Sequence, residues 1–204
     1  MIKAVCFDFD GVLTLDETGS QSICNYVAET EKIDKAIFER EYRKYNKNLL
    51  NGKVKHEEIW SKICDAIEKP ISISALYNSF INTPINTKVL DIVKKVKSLG
   101  LNTAMITDNK SDRIKNIVAY HKWERLFDCI AVSAEIGVGK SDKKIFDFVF
   151  ESLHLKPHEC IFIDNNKDNL TIPQKQGVKT IFFNFKDNDV SALESELRNL
   201  GVEV

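Results

Sequence analysis

The segment IKAVCFDFDG, residues 2–11, is the stretch that most clearly indicates the fold class of the protein. Its first residues are apolar on both faces of an extended backbone, which is typical of a strand buried in a parallel sheet, here Ile2 to Phe9. Two acidic residues, Asp8 and Asp10, stand at the end of this run and are followed by Gly11. Alternation along an extended chain sends both carboxylates to the same side, so we expect them to face one ligand.

Four further apolar runs have the same character, and they cover residues 101–107, 129–133, 160–164 and 178–184. Helical patterns lie between them, the clearest over residues 85–99 and 190–200, each followed by a glycine. Strands that alternate with helices predict an α/β fold, with a doubly wound, Rossmann-like core built on a parallel sheet.

The long interval between the first two predicted strands breaks this alternation. Phe38, Tyr42, Tyr45 and Leu49 fall at helical spacing, and the interval contains no convincing strand. The sequence therefore predicts an inserted helical cap domain over residues 15–84. Residues 1–14 and 85–204 would form the α/β core, with hinges near residues 14–19 and 82–86.

Composition excludes several classes of partner. The 204 residues include 29 lysines and arginines and 30 aspartates and glutamates, a net charge of −1. This balance supplies no general attraction to nucleic acid or to an anionic membrane surface. Five widely spaced cysteines fit a reducing compartment, and we expect a cytoplasmic protein without membrane spans. Nothing in the sequence indicates an oligomeric state.

Polar residues follow several of the predicted strands at their carboxyl ends, where open parallel sheets bind ligands. They are Asp8, Asp10, Thr107, Asp108, Asn109, Lys140 and Asp164. Several carboxylates at one edge are costly without a cation, and oxygen ligands favour Mg²⁺. Lys140 and the backbone amides around Gly11 and Asn109 could hold the charge of a phosphate.

Four ordered segments resemble the motifs of the haloacid dehalogenase superfamily. They are DFDGVLT at 8–14, ITDN at 106–109, GKSD at 139–142 and FIDNNKDN at 162–169. The insertion lies where members with a first-position cap carry it, and its segment at 51–60 resembles the small helical cap of the phosphoglycolate phosphatase-like branch.

This resemblance implies a role for each motif residue. Asp8 would be the nucleophile that forms an aspartyl-phosphate, and Asp10 would act as acid and then as base. The side chains of Asp8 and Asp164, with the backbone carbonyl of Asp10, would bind Mg²⁺. Thr107 and Lys140 would hold the phosphoryl group. Further substrate contacts are expected at Gly11, Asp108 and Asn109.

The chain departs from the family pattern at three positions near the expected site, one of which is Ser141, where relatives usually have Pro. Asn165 stands where many relatives have an acidic residue, so the second metal-linked carboxylate would be Asp168 or would be absent. Asp108 stands where relatives commonly have Asn or Gly, and its charge is tolerable near a phosphate only if it points away.

The motifs favour a Mg²⁺-dependent phosphatase that acts on a small phosphorylated metabolite. A sugar phosphomutase on the same scaffold is the nearest alternative, and a non-catalytic binding protein is a more distant one. Haloacid dehalogenation is disfavoured by the presence of Asp10. Substrate choice is expected to lie in the cap, with Asn46, Asn48, Lys53 and Lys55 as first candidates.

Overall fold

Five parallel strands form one sheet in the computed structural model, which describes all residues, 1–204. The strand order is β3-β2-β1-β4-β5, so β1 lies in the centre between β2 and β4. The strands are β1 (Ala4–Phe7), β2 (Asn102–Thr107), β3 (Cys129–Val132), β4 (Cys160–Asp164) and β5 (Lys179–Phe182). This arrangement confirms the predicted α/β fold class.

Six helices belong to the part of the chain that follows the insertion. They are α5 (Thr87–Ser98), α6 (Ser111–His121), the short α7 (Ser133–Ile136), α8 (Lys144–Leu153), α9 (Lys167–Gln176) and α10 (Val190–Asn199). Alternate residues of β1 point to opposite faces of the sheet and join different hydrophobic clusters. Val5 and Phe7 pack in the cluster that includes residues of α5, α6 and α10. Ala4 and Cys6 pack in the cluster that includes α8 and α9. The sheet is therefore covered by helices on both faces.

The first strand is shorter than its sequence predicts. It ends at Phe7, and residues Phe9–Leu13 form a tight turn rather than extended chain. Gly11 has a φ of 76°, a left-handed conformation, and a Cβ there would lie 2.1 Å from Asn165 Nδ2. Asp8 and Asp10 both reach the sheet edge because of this turn, so strand alternation was the wrong reason for their proximity.

Four helices lie between β1 and α5, in the range predicted to be the cap. They are α1 (Gly19–Glu31), α2 (Lys35–Leu50), α3 (His56–Ala66) and α4 (Ile73–Ile81). The buried side chains of Phe38, Tyr42 and Trp60 pack together among them. No helix of the chain combines the length and the apolar character that a membrane crossing requires.

The two ends of the insertion meet at one point. Thr14 and Ile85 form an antiparallel bridge, flanked by hydrogen bonds from Leu15 N to Pro84 O and from Asn86 N to Leu13 O, both 2.9 Å. The chain therefore leaves and re-enters the α/β core at adjacent positions. The hydrophobic cluster on this side is continuous from α5 and α6 into α1, α2 and α4, so the inserted helices pack directly on the core.

Candidate active site

A polar pocket opens at the carboxyl ends of β1, β2 and β4. Its volume is about 590 Å³, and Leu50 is the one hydrophobic residue that lines it. Asp8, Asp10, Thr107, Asp108 and Lys140 line its core side, as the sequence predicts, although Asp164 lies just beneath the surface. A pocket with so little apolar surface suits a small hydrophilic ligand.

Lys140 links the two central carboxylates. Its Nζ lies 2.7 Å from Asp8 Oδ1 and 2.7 Å from Asp164 Oδ2, and all three side chains are buried. Burial alone would lower the pKa of Lys140, but Asp8 and Asp164 hold it above its ordinary value. Burial and the neighbouring Asp164 raise the pKa of Asp8, and Lys140 opposes them. One ammonium thus neutralises only part of the charge that two carboxylates place here.

Asn169, rather than Asp168, reaches Asp164. The Asn169 Nδ2 lies 3.1 Å from both oxygens of that carboxylate, and Asn169 lines the pocket. Asp168 is exposed and does not line it. Both residues are in the first turn of α9, and the side chains of consecutive helical residues point about 100° apart. The structure therefore places the predicted metal ligand Asp168 outside the site.

The oxygen atoms near Asp8 fit a divalent cation that keeps several water ligands. The amide of Asn165 lies 3.3 Å from both Asp8 Oδ2 and the backbone carbonyl of Asp10, which brings those two oxygens to one side of the site. No three acidic, histidine or cysteine side chains converge on one point. The protein ligands available to a cation are therefore two carboxylates and one backbone carbonyl. Few protein oxygens and retained waters are typical of Mg²⁺.

Asp10 is held by three side-chain donors. Arg113 Nη1 and Nη2 donate to its two oxygens, each at 2.9 Å, and Asn109 Nδ2 donates to Oδ2 at 2.7 Å. Arg113 is fully buried, and its guanidinium lies 5.2 Å from the centre of the Phe9 ring. Gly19, the first residue of α1, covers this pair so closely that a Cβ would lie 2.2 Å from Nη1. The carboxylate orientation is therefore fixed from both the core and the insertion.

The loops after β2 and β3 are held together by Asp108. Its Oδ1 accepts a hydrogen bond from Lys140 N at 2.8 Å, and a Cβ on Gly139 would lie 2.6 Å from the same oxygen. Asp108 is exposed at the pocket wall, and this contact positions the backbone that carries Lys140. Thr107 is buried and its Oγ1 accepts from Asn109 Nδ2 at 3.2 Å.

Two predicted phosphate donors are used inside the protein. Gly11 N donates to Thr14 Oγ1 at 3.1 Å, and Asn109 N donates to Ser133 Oγ at 3.0 Å. Neither residue lines the pocket. The N–H groups of Gly11 and Asn109 themselves are therefore engaged within the protein: Gly11 makes the turn, and Asn109 positions Asp10.

The inserted helices form one wall of the pocket. Ser20 in α1 and Asn46 in α2 are joined by a hydrogen bond of 2.9 Å from Ser20 Oγ to Asn46 Oδ1. Lys110, which immediately precedes α6, donates from Nζ to the same Ser20 Oγ at 3.0 Å. Burial, with a smaller contribution from Arg113, lowers the pKa of Lys110 to about 7. Core and insertion therefore meet through buried polar contacts at the pocket.

Only one of the four first candidates for substrate contact in the insertion lines this pocket. Asn46 does, whereas Asn48, Lys53 and Lys55 are exposed and lie outside it. Asn48 is near the end of α2 and the two lysines follow that helix, where the chain packs against the segment after β3: Ser133 Oγ donates to Leu50 O at 2.7 Å.

A second polar link ties the insertion to α6 away from the pocket. His56 is fully buried, with Nε2 at 2.9 Å from Tyr42 Oη and Nδ1 at 2.6 Å from Asp112 Oδ2. A neutral imidazole satisfies both contacts when Nδ1 donates to the carboxylate and Tyr42 donates to Nε2. The sequence assigned no role to His56, and the structure gives it this bridging one.

Sequence reasoning missed Arg113, Lys110, Ser20 and Asn169. The sequence did contain a signal for Arg113, because it follows the Thr107-Asp108-Asn109 motif and lies in the first turn of a helix that begins at the sheet edge. Ser20 gave no signal, since its proximity depends on how the insertion packs on the core.

Comparison with known proteins identifies the family of this chain. The family model for haloacid dehalogenase-like hydrolases matches residues 2–171. A solved structure of a HAD family enzyme from Bacteroides thetaiotaomicron, in complex with magnesium and inorganic phosphate, superposes with a TM-score of 0.66. It is 22% identical and covers 89% of this chain and 94% of that one.

Two curated relatives span most of this chain. Bifunctional epoxide hydrolase 2 of Rattus norvegicus is 26% identical over 88% of this chain, which corresponds to 36% of the relative. This chain therefore spans about a third of that protein's length. Glyceraldehyde 3-phosphate phosphatase of Methanothermobacter thermautotrophicus is 23% identical, over 100% of this chain and 95% of the relative.

Proposed function

The chain belongs to the haloacid dehalogenase-like hydrolase family, and we propose that it is a Mg²⁺-dependent phosphatase that hydrolyses a small phosphorylated metabolite. The observation that carries this proposal is the pairing of Lys140 with both Asp8 and Asp164 at the base of a polar pocket. The relative named as a phosphatase and the neighbour crystallised with magnesium and inorganic phosphate support the same activity.

In the proposed first step, a carboxylate oxygen of Asp8 attacks the phosphorus atom and the ester P–O bond breaks. Asp10 gives a proton to the departing alkoxide, which leaves as an alcohol. In the second step, water attacks the phosphorus of the aspartyl-phosphate while Asp10 takes its proton. Inorganic phosphate leaves, and the Asp8 carboxylate and the protonated Asp10 are restored.

Positioning by the chain supports both steps. Lys140 holds the Asp8 carboxylate in place and lies where it can offset phosphoryl charge. Arg113 and Asn109 fix the direction of Asp10. Asp8, Asp164 and the Asp10 carbonyl would hold Mg²⁺, which when bound supplies charge neutralisation at the phosphoryl oxygens.

A panel of phosphate monoesters tests the proposal directly. Inorganic phosphate release should require Mg²⁺, should stop when EDTA is added, and should return when Mg²⁺ is restored in excess. Absence of phosphate release from every ester, with folded protein and Mg²⁺ present, would contradict the phosphatase assignment.

The same assay separates the phosphatase from a sugar phosphomutase. A mutase would convert a hexose 1-phosphate to its 6-phosphate with little release of inorganic phosphate. Arg113 is committed to Asp10, and no arginine lines the pocket to hold a second phosphate.

A further inference from the structure

Ser133 joins three segments of the chain at one buried hydroxyl. It follows β3, is the first residue of α7 and is 1% exposed. Its Oγ donates to Leu50 O at 2.7 Å and accepts from Asn109 N at 3.0 Å. The carbonyl of Asn109 is held as well, because Ala134 N donates to it at 3.3 Å. The hydroxyl of Ser133 therefore connects the insertion to the loop that follows β2.

Leu50 brings the wall of the pocket into this network. It is the last residue of α2, and the final carbonyls of a helix have no partner within the helix. Ser133 supplies a donor to one of these carbonyls from the core. The side chain of Leu50 lines the pocket together with Asn46, which lies one turn earlier in α2. The end of α2 that borders the pocket is thus tied to Ser133.

A second close contact lies beside this hydrogen bond. Gly52 has a φ of 66°, and a Cβ there would lie 2.0 Å from the backbone oxygen of Ala134. A backbone carbonyl cannot swing aside as the tip of a side chain can, so this position requires glycine. The insertion and α7 are therefore in direct backbone contact at the residue that follows Ser133.

Asn109 carries the network to Asp10. Its Nδ2 donates to Asp10 Oδ2 at 2.7 Å, and its Oδ1 accepts from Arg113 Nη1 at 3.1 Å. Asn109 is 1% exposed, so solvent does not reach it to replace a lost partner. The direction of the Asp10 carboxylate therefore depends on where Ser133 holds the backbone of Asn109.

We propose that Ser133 is a positioning residue of the hydrolysis, which orients Asp10 through Asn109 and holds the pocket wall through Leu50. This inference rests on the proposed phosphatase function. Ser133 does not line the pocket, so it acts on the reaction only through its neighbours. Without the hydroxyl, the N–H of Asn109 would be buried with no acceptor, and its loop would shift to find one.

Proton donation gives this role a signature that a loss of stability lacks. A nitrophenolate leaves without a proton, whereas a more basic leaving group needs one from Asp10. A misdirected Asp10 should therefore reduce the rate more as the leaving group becomes more basic. General damage to the fold would instead reduce the rates of all esters by the same factor.

A series of aryl phosphates of similar shape tests the proposal. It consists of p-nitrophenyl, phenyl and p-methylphenyl phosphate, in order of increasing basicity of the leaving group. The measured quantity is kcat/KM, which reports the step that breaks the ester bond. Ser133→Ala should lower it about tenfold or more for p-methylphenyl phosphate and about threefold or less for p-nitrophenyl phosphate. The dependence on leaving-group basicity should thus become steeper than in the native chain.

Three further variants keep the result interpretable. Ser152→Ala removes a hydroxyl from an exposed position on α8 and should leave the dependence unchanged. In an Asn109→Ala background, Ser133→Ala should change the dependence by less than about twofold, because the path to Asp10 is already broken. If Ser133→Ala fails to fold, Ser133→Cys keeps the size of the side chain with weaker hydrogen bonds and should steepen the dependence in the same direction. Thermal unfolding establishes that each variant is folded.

Hydrogen exchange measures the contact without relying on activity. The backbone amide of Asn109 should exchange at least about tenfold faster in Ser133→Ala than in the native chain or in Ser152→Ala. An unchanged exchange rate would show that the hydroxyl does not hold Asn109, and that result overturns the inference.

The kinetic outcomes separate the two proposals. Equal losses on all three esters, or full additivity with Asn109→Ala, would make Ser133 a structural residue only. An active native chain with such a result refutes the role of Ser133 alone. If the native chain releases phosphate from no ester, the phosphatase function itself fails, and the role of Ser133 fails with it.

Discussion

Arg113 and Asp10 are joined by two parallel hydrogen bonds of 2.9 Å between the guanidinium and the carboxylate. The arginine is fully buried, so the pair is protected from the screening that weakens exposed ion pairs. The proposed acid and base of the reaction is thus held at both oxygens before substrate binds. Arg113 acts as a positioning residue through Asp10.

Replacement of Arg113 by lysine keeps the charge and removes the planar fork, so it should misdirect Asp10. We expect kcat for an alkyl phosphate to fall about 10- to 100-fold. The loss should be smaller for p-nitrophenyl phosphate, whose leaving group needs no proton. Steady-state kinetics on both esters measure this difference, with Arg125→Lys at an exposed position as the control. Equal losses on the two esters would show that Arg113 has only a structural role.

Replacement of Asp8 by asparagine should reduce turnover more than about 10³-fold, because an amide is a far poorer nucleophile than a carboxylate. The two side chains are nearly isosteric, so the protein should remain folded by circular dichroism. Asp91→Asn, at an exposed position on α5, is the matched control. Substantial activity in a purified Asp8→Asn protein is incompatible with the proposed mechanism.

The two acidic residues of the fourth motif should differ in their effect on Mg²⁺ dependence. Asp164→Asn should raise the Mg²⁺ concentration for half-maximal activity at least about tenfold, because a direct ligand is lost. Asp168→Asn should leave it within about twofold, since the Asp168 side chain is exposed outside the pocket. A Mg²⁺ titration of both variants is the measurement. A large effect of Asp168→Asn would show that Asp168 does bind the metal.

The free energy of unfolding should depend on pH through Lys110. Its pKa is about 7 when folded and returns to about 10.5 when the chain unfolds. Between these values the unfolded chain binds more protons, so this contribution to stability rises with pH, by at most about 1.4 kcal/mol per pH unit.

Urea denaturation at pH 7 and pH 9.5 measures this effect. The native chain should gain stability relative to Lys110→Met as the pH rises, whereas its difference from Lys88→Met, which removes a charge from an exposed position, should stay constant. A constant difference from Lys110→Met as well would mean that Lys110 is not desolvated in the folded protein.

The motif residues at the strand ends could be predicted because two patterns coincide there. Apolar runs mark buried strands, and a polar residue that ends such a run has one direction in which to face. Asp8 and Asp164 meet for this reason, although the sheet order that makes β1 and β4 neighbours is a tertiary property. Lys140 reaches both of them from the loop that follows α7.

The departures from expectation have another physical origin. Whether a backbone amide such as that of Gly11 or Asn109 is free depends on a local hydrogen bond to Thr14 or Ser133. The choice between Asp168 and Asn169 depends on the rotation of α9 about its axis, which a periodic pattern fixes only loosely. Lys110 and Ser20 are 90 residues apart, and their contact exists only because α1 packs against the loop that precedes α6.

The bridge between Thr14 and Ile85 makes the length of the insertion independent of the geometry of the sheet. Because the chain departs and returns at adjacent backbone positions, a shorter or longer excursion would leave the pairing of β1 with β2 undisturbed. Closing a longer loop costs little more entropy than closing a short one, since the cost grows only with the logarithm of length. The whole inserted segment could therefore be replaced during evolution while β1 kept its register in the sheet. This junction is thus a natural site for joining the same catalytic core to different cap domains.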